Sequence, residues 1–261
     1  MADDRIIVGL DIGTSVIRVA IGEIDDDLSV HIIATSAHKS EGLRNGVIVN
    51  IEDAKEAIRE AIQAAENKAG VLVNSVIASI GGSQIESENS RGIVPIRSNS
   101  KGVASAVSRE DVDKVIDVAV AVNYPVDREI IHVIAQEYLV DGIGHISDPI
   151  NRLGLKLEAK VHIVTASKSV IQNTKTCMLR AGYGLDGVML KTLAETQAVC
   201  HEDELELGSI IIDLGAGTTD VIVLIDGAPV SSASVQVGGN LVTNDISIVN
   251  SIPFAAAEKI K

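Results

Sequence analysis

Two short stretches carry residues able to do chemistry on a phosphate. In residues 210–220 an apolar, β-branched run enters Asp213-Leu214-Gly215-Ala216-Gly217-Thr218-Thr219, and a second apolar run leaves through residues 221–225. This reads as strand, tight turn, strand. Glycines in the turn let the backbone approach a ligand and turn its N–H groups inward. The Thr218 and Thr219 hydroxyls add donors. Asp213, at the end of a buried strand, is placed to hold a metal-bound water. Residues 6–15 repeat the idea: a strand ends in Asp11, Gly13, Thr14 and Ser15, and residues 16–22 form another strand. One such turn says little, because Asp-Gly turns end many strands. Two of them, about two hundred residues apart, could clamp one polyphosphate from both sides. Mg²⁺ prefers carboxylates and waters shared with substrate phosphates, which makes Asp11 and Asp213 the candidate metal-holding and catalytic carboxylates. Further on, Gly238-Gly239 opens a helix, where the dipole and free N–H groups favour an anion.

The elements that must position these turns follow an α/β pattern. Strands are expected over residues 29–37, 76–80, 129–141, 155–165, 185–190 and 231–237. Asn50 is a candidate N-cap for a helix over residues 51–69. Ala54, Ile58, Ile62 and Ala65 lie on one face of it, and Gly70 ends it. A loop rich in Ser, Gly and Asn is expected over residues 87–105. Ser108 and Asp111 form a capping pattern for a helix whose apolar face is Val112, Val115, Ile116, Ala119 and Val122. Helices are also expected over residues 165–182 and 193–201, after Gly239, and from Pro253.

The totals narrow the function. At 261 residues the chain can bury a sizeable core in two or three domains. A net charge of −14 disfavours nucleic acid as a partner and unaided binding to an anionic membrane. The two cysteines, Cys177 and Cys200, read as buried free thiols. The six histidines lack ligand spacing. Acidic runs such as Glu202-Asp203-Glu204 read as solvated turns. With no signal peptide and no apolar run of membrane-spanning length, a soluble, cytoplasmic chain is expected.

The paired hairpins resemble the two phosphate loops of the actin-like ATPase superfamily. The segment between them narrows the resemblance. Residues 124–138, opening Tyr124-Pro125-Val126-Asp127-Arg128-Glu129, and residues 148–164, opening Asp148-Pro149-Ile150-Asn151-Arg152-Leu153, are similar to the inserted segment of the FtsA family of bacterial cell-division proteins. The resemblance implies an α/β, actin-like (ribonuclease H-like) ATPase fold. It also implies an inserted α+β SHS2 (1C) subdomain and an incomplete second domain. The divisions expected are 1–84 (1A, first hairpin), 85–164 (SHS2/1C), 165–191 (the rest of 1A) and 192–261 (2A, second hairpin, with the start of 2B).

By the same resemblance the cofactors are ATP and Mg²⁺, with the nucleotide acting mainly as a conformational switch and any hydrolysis slow. The family's Ala-Glu-x-x-Lys pattern falls on Glu258 and Lys261, which would face the ribose or base. FtsA sequences often carry Glu-Pro where this chain has Lys191-Thr192. That departure weakens a catalytic carboxylate there. Glu195 and Gln197 are candidates to orient water, but a solvated helix face is the favoured account of them. The partners implied are FtsZ, through a region mostly beyond residue 261, other division proteins through 1C, and further copies in filaments. The membrane would be reached only through an anchor absent from this chain, at the cytoplasmic face of the division site. The alternatives are a PilM-like pilus-assembly scaffold and a small-molecule kinase of the same superfamily. Since the family's sequences continue well past this point, a truncated chain is expected.

Overall fold

Runs of Val and Ile broken by glycine turns become strands, and segments with a four-residue apolar period become the helices that cover them. The structure, a computed structural model, describes residues 5–97, 102–122 and 124–261. In chain order it begins with β1 (Ile6–Ile12), β2 (Val16–Ile24), β3 (Val30–Lys39), the short pair β4 (Leu43–Arg44) and β5 (Val47–Ile48), α1 (Ile51–Ala69) and β6 (Ser75–Ile80). There follow β7 (Ile85–Pro95), β8 (Ser105–Ala106), α2 (Arg109–Val120), β9 (Arg128–Val140), β10 (Ile143–Ile146), β11 (Leu153–Gly154) and β12 (Lys156–Ser167). The last third holds α3 (Lys168–Ala181), β13 (Gly184–Leu190), α4 (Lys191–Val199), α5 (Glu202–Leu207), β14 (Ser209–Leu214), β15 (Thr219–Ile225), β16 (Ala228–Val235), α6 (Gly239–Asn250) and α7 (Phe254–Ile260).

The first sheet runs β13-β6-β1-β2-β3, with β6 parallel to both β1 and β13. Helices α1 and α3 cover one face. Val8, Leu10, Ile17, Val19 and Ile21 of the sheet meet Ala54, Ile58, Ile62, Cys177 and Met178 of the helices. The ends of α1 are those its sequence specifies. Asn50 Oδ1 accepts from the Glu52 and Asp53 N–H groups, and Gly70 closes the helix at φ 71°. Between β6 and β13 the chain builds a second sheet, β10-β9-β12-β7, with α2 against it and a core of its own around Val115, Tyr138, Leu157 and Val161. The third sheet, β14-β15-β16, carries the second hairpin.

Several expectations change; among them, the helix expected over 165–182 begins only at Lys168, after β12 ends at Ser167. Residues 87–95 are not loop: they lie within β7, which pairs with β12 from Ile85–Ala166 to Pro95–Lys156. A polar strand satisfies its backbone by that ladder as well as an apolar one does. The part of the expected loop over 98–101 lies outside the described residues. β14 is an edge strand and not buried, with Ile210, Ile212 and Leu214 exposed. Helix α2 ends at Val120, which leaves Val122 exposed beyond it. The helix expected over 193–201 begins at Lys191 and ends at Val199, and Glu202-Asp203-Glu204 open the short, exposed α5. Both cysteines are free, Cys177 buried and Cys200 only partly so. Burial pushes the Cys177 thiol up to about 11. Among the described residues no helix is long and apolar enough to cross a membrane.

Candidate functional site

Strand register builds the site. Alternation turns Val8 and Leu10 toward α1 and Asp11 to the opposite face of β1. Antiparallel pairing sets Asp11 opposite Arg18 of β2, and parallel pairing sets it beside Ser79 of β6. The Ser79 hydroxyl donates to Asp11 Oδ1 at 2.8 Å, and Arg18 Nη1 stands 3.5 Å from Oδ2. In the third sheet Asp213 of β14 opposes Asp220 of β15. Buried Asp220 accepts from the Gly82 N–H at 2.9 Å and from the Thr218 hydroxyl at 3.0 Å. It thereby ties the second hairpin to the end of β6.

The two hairpins meet across one cleft of about 260 Å³, lined by Asp11, Gly13, Thr14, Ser15, Asp213, Gly215 and Thr218 among others. Gly217 does not line it. A Cβ there would sit 2.9 Å from Thr14 Oγ1 and 3.0 Å from Asn45 Cα, so its bare backbone lets the hairpins touch. The Thr14 hydroxyl accepts from the Gly46 N–H at 2.9 Å. Thr219 points elsewhere: alternation along β15 turns it from the cleft, and its hydroxyl donates to the Val237 carbonyl at 2.7 Å.

Gly238, Gly239, Glu258 and Lys261 gather behind the second hairpin, outside the cleft lining. The Gly239 and Asn240 N–H groups donate to the carbonyls of Gly215 and Ala216, both at 2.9 Å. The expected free amides at the start of α6 therefore hold the hairpin in shape. Lys261 Nζ lies 2.7 Å from Glu258, donates to the Thr243 hydroxyl at 2.9 Å and to the Gly239 carbonyl at 3.3 Å. The hydrogen bond from Lys261, then that from the Thr243 hydroxyl, holds the Glu258 carboxyl below its usual range.

The residue that sequence reasoning passed over is Lys191, the first residue of α4. Its ammonium stands 2.7 Å from Asp213 Oδ2, 3.9 Å from Asp11 Oδ1 and 4.0 Å from Glu195 Oε1. No well-aligned hydrogen bond reaches Asp213 Oδ2 among the described residues, so the contact is one of charge. Burial works to lower the Lys191 pKa. The carboxylates of Asp11, Asp213 and Glu195 outweigh it and raise it. Burial, and then the charge of Asp213, pushes Glu195 up to about 7. An available signal was the placement itself: a cation at a helix start opposes the dipole and needs another partner. The Lys191 ammonium thus stands beside both of the carboxylates expected to hold the metal, Asp11 and Asp213. Among the described residues no cluster of three His, Cys, Asp or Glu side chains could hold a metal ion.

Two family profiles match parts of the chain. The family profile described as "SHS2 domain inserted in FTSA" matches residues 82–165, and that described as "Cell division protein FtsA" matches residues 210–261. The chain is 43% identical over 257 residues to the cell division protein FtsA of Borreliella burgdorferi, covering 98% of this chain and 61% of that protein. It is 35% identical over 261 residues to FtsA of Bacillus subtilis, covering all of this chain and 58% of that one. The chain thus spans about three fifths of the length of the curated relatives it matches. Among solved structures, a PilM-PilN type IV pilus biogenesis complex superposes with a TM-score of 0.68 at 14% identity, covering 98% of this chain and 68% of that one. MreB5 of Spiroplasma citri, described as bound to ADP, superposes at 0.50 and 15% identity, covering 99% and 62%. At these identities the two structures speak for the actin-like fold alone.

Proposed function

Because the chain belongs to the FtsA family of cell-division proteins and has an actin-like fold, we propose that it is an ATP-binding component of the bacterial division machinery. The observation that carries the nucleotide reading is the cleft. Two Asp-Gly-hydroxyl hairpins face each other there, with Thr14, Ser15 and Thr218 on its wall. Such loops present N–H and O–H donors to a phosphate chain. Glu258 and Lys261, gathered at Thr243, stand on the adenosine side of this reading. The Lys191 ammonium lies beside Asp213 and Asp11, and the ligand proposed is the triphosphate itself. Bound between the first and third sheets, it acts as a switch of their relative position.

Residues 85–164 are read as the inserted subdomain that meets other division proteins and further copies of the chain. Tethering of FtsZ to the cytoplasmic face of the membrane belongs to the same proposal at the level of the whole protein. Identity to cell-division relatives favours this role over a pilus scaffold, for which only the fold speaks, and over a small-molecule kinase.

Calorimetric titration of the chain with ATP tests the reading. Ser15 is exposed at the cleft, and Ser15→Asp places a carboxylate against the phosphates. We expect measurable binding by the parent and at least about tenfold weaker binding by the variant. A parent that takes up no ATP refutes the proposal.

A further inference from the structure

Lys191 opens α4, where the dipole favours acidic side chains, yet the first turn of α4 carries none. A residue that breaks a local rule is held by something else. Here the side chain is only 22% exposed and points its ammonium at Asp213 Oδ2, 2.7 Å away, and at Asp11 Oδ1, 3.9 Å away. The remaining valences of Asp11 are engaged as well: Oδ1 accepts the Ser79 hydroxyl and Oδ2 faces Arg18. Each carboxylate that could hold a divalent ion therefore already faces the Lys191 ammonium, and Asp11 faces the exposed Arg18 as well. A metal entering between them would have to displace the ammonium or share the space with its charge. Lysine is a compact point charge, and binds phosphate oxygens as one.

We propose that Lys191 is a built-in cation that stands in for a divalent metal between Asp11 and Asp213, so that the chain holds the phosphates of a nucleoside triphosphate without Mg²⁺. The phosphate half of this inference rests on the nucleotide reading above; the metal half does not. Asp11 and Asp213 fix the ammonium at the mouth between the hairpins, and Thr14, Ser15 and Thr218 line the same cleft. A triphosphate entering there meets a positive charge that needs no free ion to supply it. Removing the lysine would leave Asp11, Asp213 and Glu195 facing the phosphates uncompensated. Binding would then depend on added metal.

Two titrations of the full chain separate the halves. In the first, without nucleotide, Mn²⁺ is added and the free ion is followed by electron paramagnetic resonance. The parent is expected to bind none below about 1 mM, while Lys191→Ala gains a site at least about tenfold tighter. Lys191→Ala/Asp213→Ala should lose that site again. A parent that binds Mn²⁺ as tightly as Lys191→Ala overturns the metal half. In the second, ATP is titrated in EDTA and in MgCl₂. Parent affinity should differ by less than about threefold between the two, whereas Lys191→Ala should weaken at least about tenfold in EDTA and recover in Mg²⁺. A parent that needs Mg²⁺ overturns the phosphate half. No ATP binding in either condition overturns the nucleotide reading and the phosphate half together, and the Mn²⁺ titration still decides what fills the cation position. Lys191→Gln, which keeps most of the stem, replaces Lys191→Ala if thermal unfolding shows the alanine variant to be misfolded.

Discussion

Glu195 lies one turn beyond Lys191 on α4, with its Oε2 buried and lacking a hydrogen-bond partner among the described residues. Burial and the charge of Asp213 raise its pKa from 4.5 to about 7. The folded chain therefore keeps a proton between those values that the unfolded chain releases. The sign follows from linkage: the contribution to stability is complete below 4.5 and is lost as pH rises toward about 7. Glu195→Gln, always neutral, should therefore unfold at a higher temperature than the parent at pH 8 and differ little from it at pH 5. The expected gain at pH 8 is about 1 kcal/mol, well short of the full shift because the side chain is partly exposed. Thermal unfolding at the two pH values checks this, and an equal difference at both would refute it.

At the scale of elements, the contact between β7 and α2 shows how a strand of polar residues is held. Ser87, Asn89, Ser90 and Arg91 give β7 little apolar surface, yet its eleven residues all pair with β12. Helix α2 crosses it at Gly92, where a Cβ would lie 2.1 Å from the Val115 carbonyl oxygen and 2.8 Å from the Ala119 nitrogen. Backbone on backbone at that distance cannot be relieved by a rotamer. Gly92→Ala should push α2 off the sheet and cost about 1–3 kcal/mol, as overpacked cores do. A urea midpoint equal to that of the parent would mean that the helix slides without penalty.

At the scale of the molecule, the inserted sheet meets the third sheet through polar side chains. His162 of β12 is 1% exposed; its Nδ1 lies 2.8 Å from Asn89 Oδ1 and its Nε2 2.9 Å from the Ser232 hydroxyl of β16. Ser87 donates to the Ser232 carbonyl, Asn89 to Val230 and Gln136 to Pro229. Burial lowers the His162 pKa below its usual 6.5. The unfolded chain thus takes up a proton first as pH falls, and stability declines below about pH 6.5. His132 acts in the same direction: burial lowers it, and its Nε2 accepts the Leu190 N–H at 2.9 Å just before Lys191. In His162→Gln the loss of stability from pH 7.5 to 5.5 should be smaller than in the parent by up to about 1 kcal/mol. Urea unfolding at both pH values measures it, and parallel curves would show that His162 does not titrate there.

Much of this molecule is legible in local signals. Helix α1 has its apolar period, its Asn50 cap and its Gly70 stop in consecutive residues. The Ser108–Asp111 capping box of α2 is equally local. The two phosphate-type hairpins announce themselves by an Asp, glycines and hydroxyls between β-branched runs. What the sequence could not determine depends on register. Thr218 faces the cleft and Thr219 leaves it because side chains alternate along a paired strand. Residues 87–95 extend because β12 offers them a ladder, and the amides of α6 are taken by carbonyls of a turn more than twenty residues earlier. The position of Lys191 between Asp11 and Asp213 joins residues from three separate segments, and only the packing of two sheets brings them within 4 Å. Spacing along a chain records which residues share a face. Which faces meet is set by long-range pairing and burial, and these exist only in the folded structure.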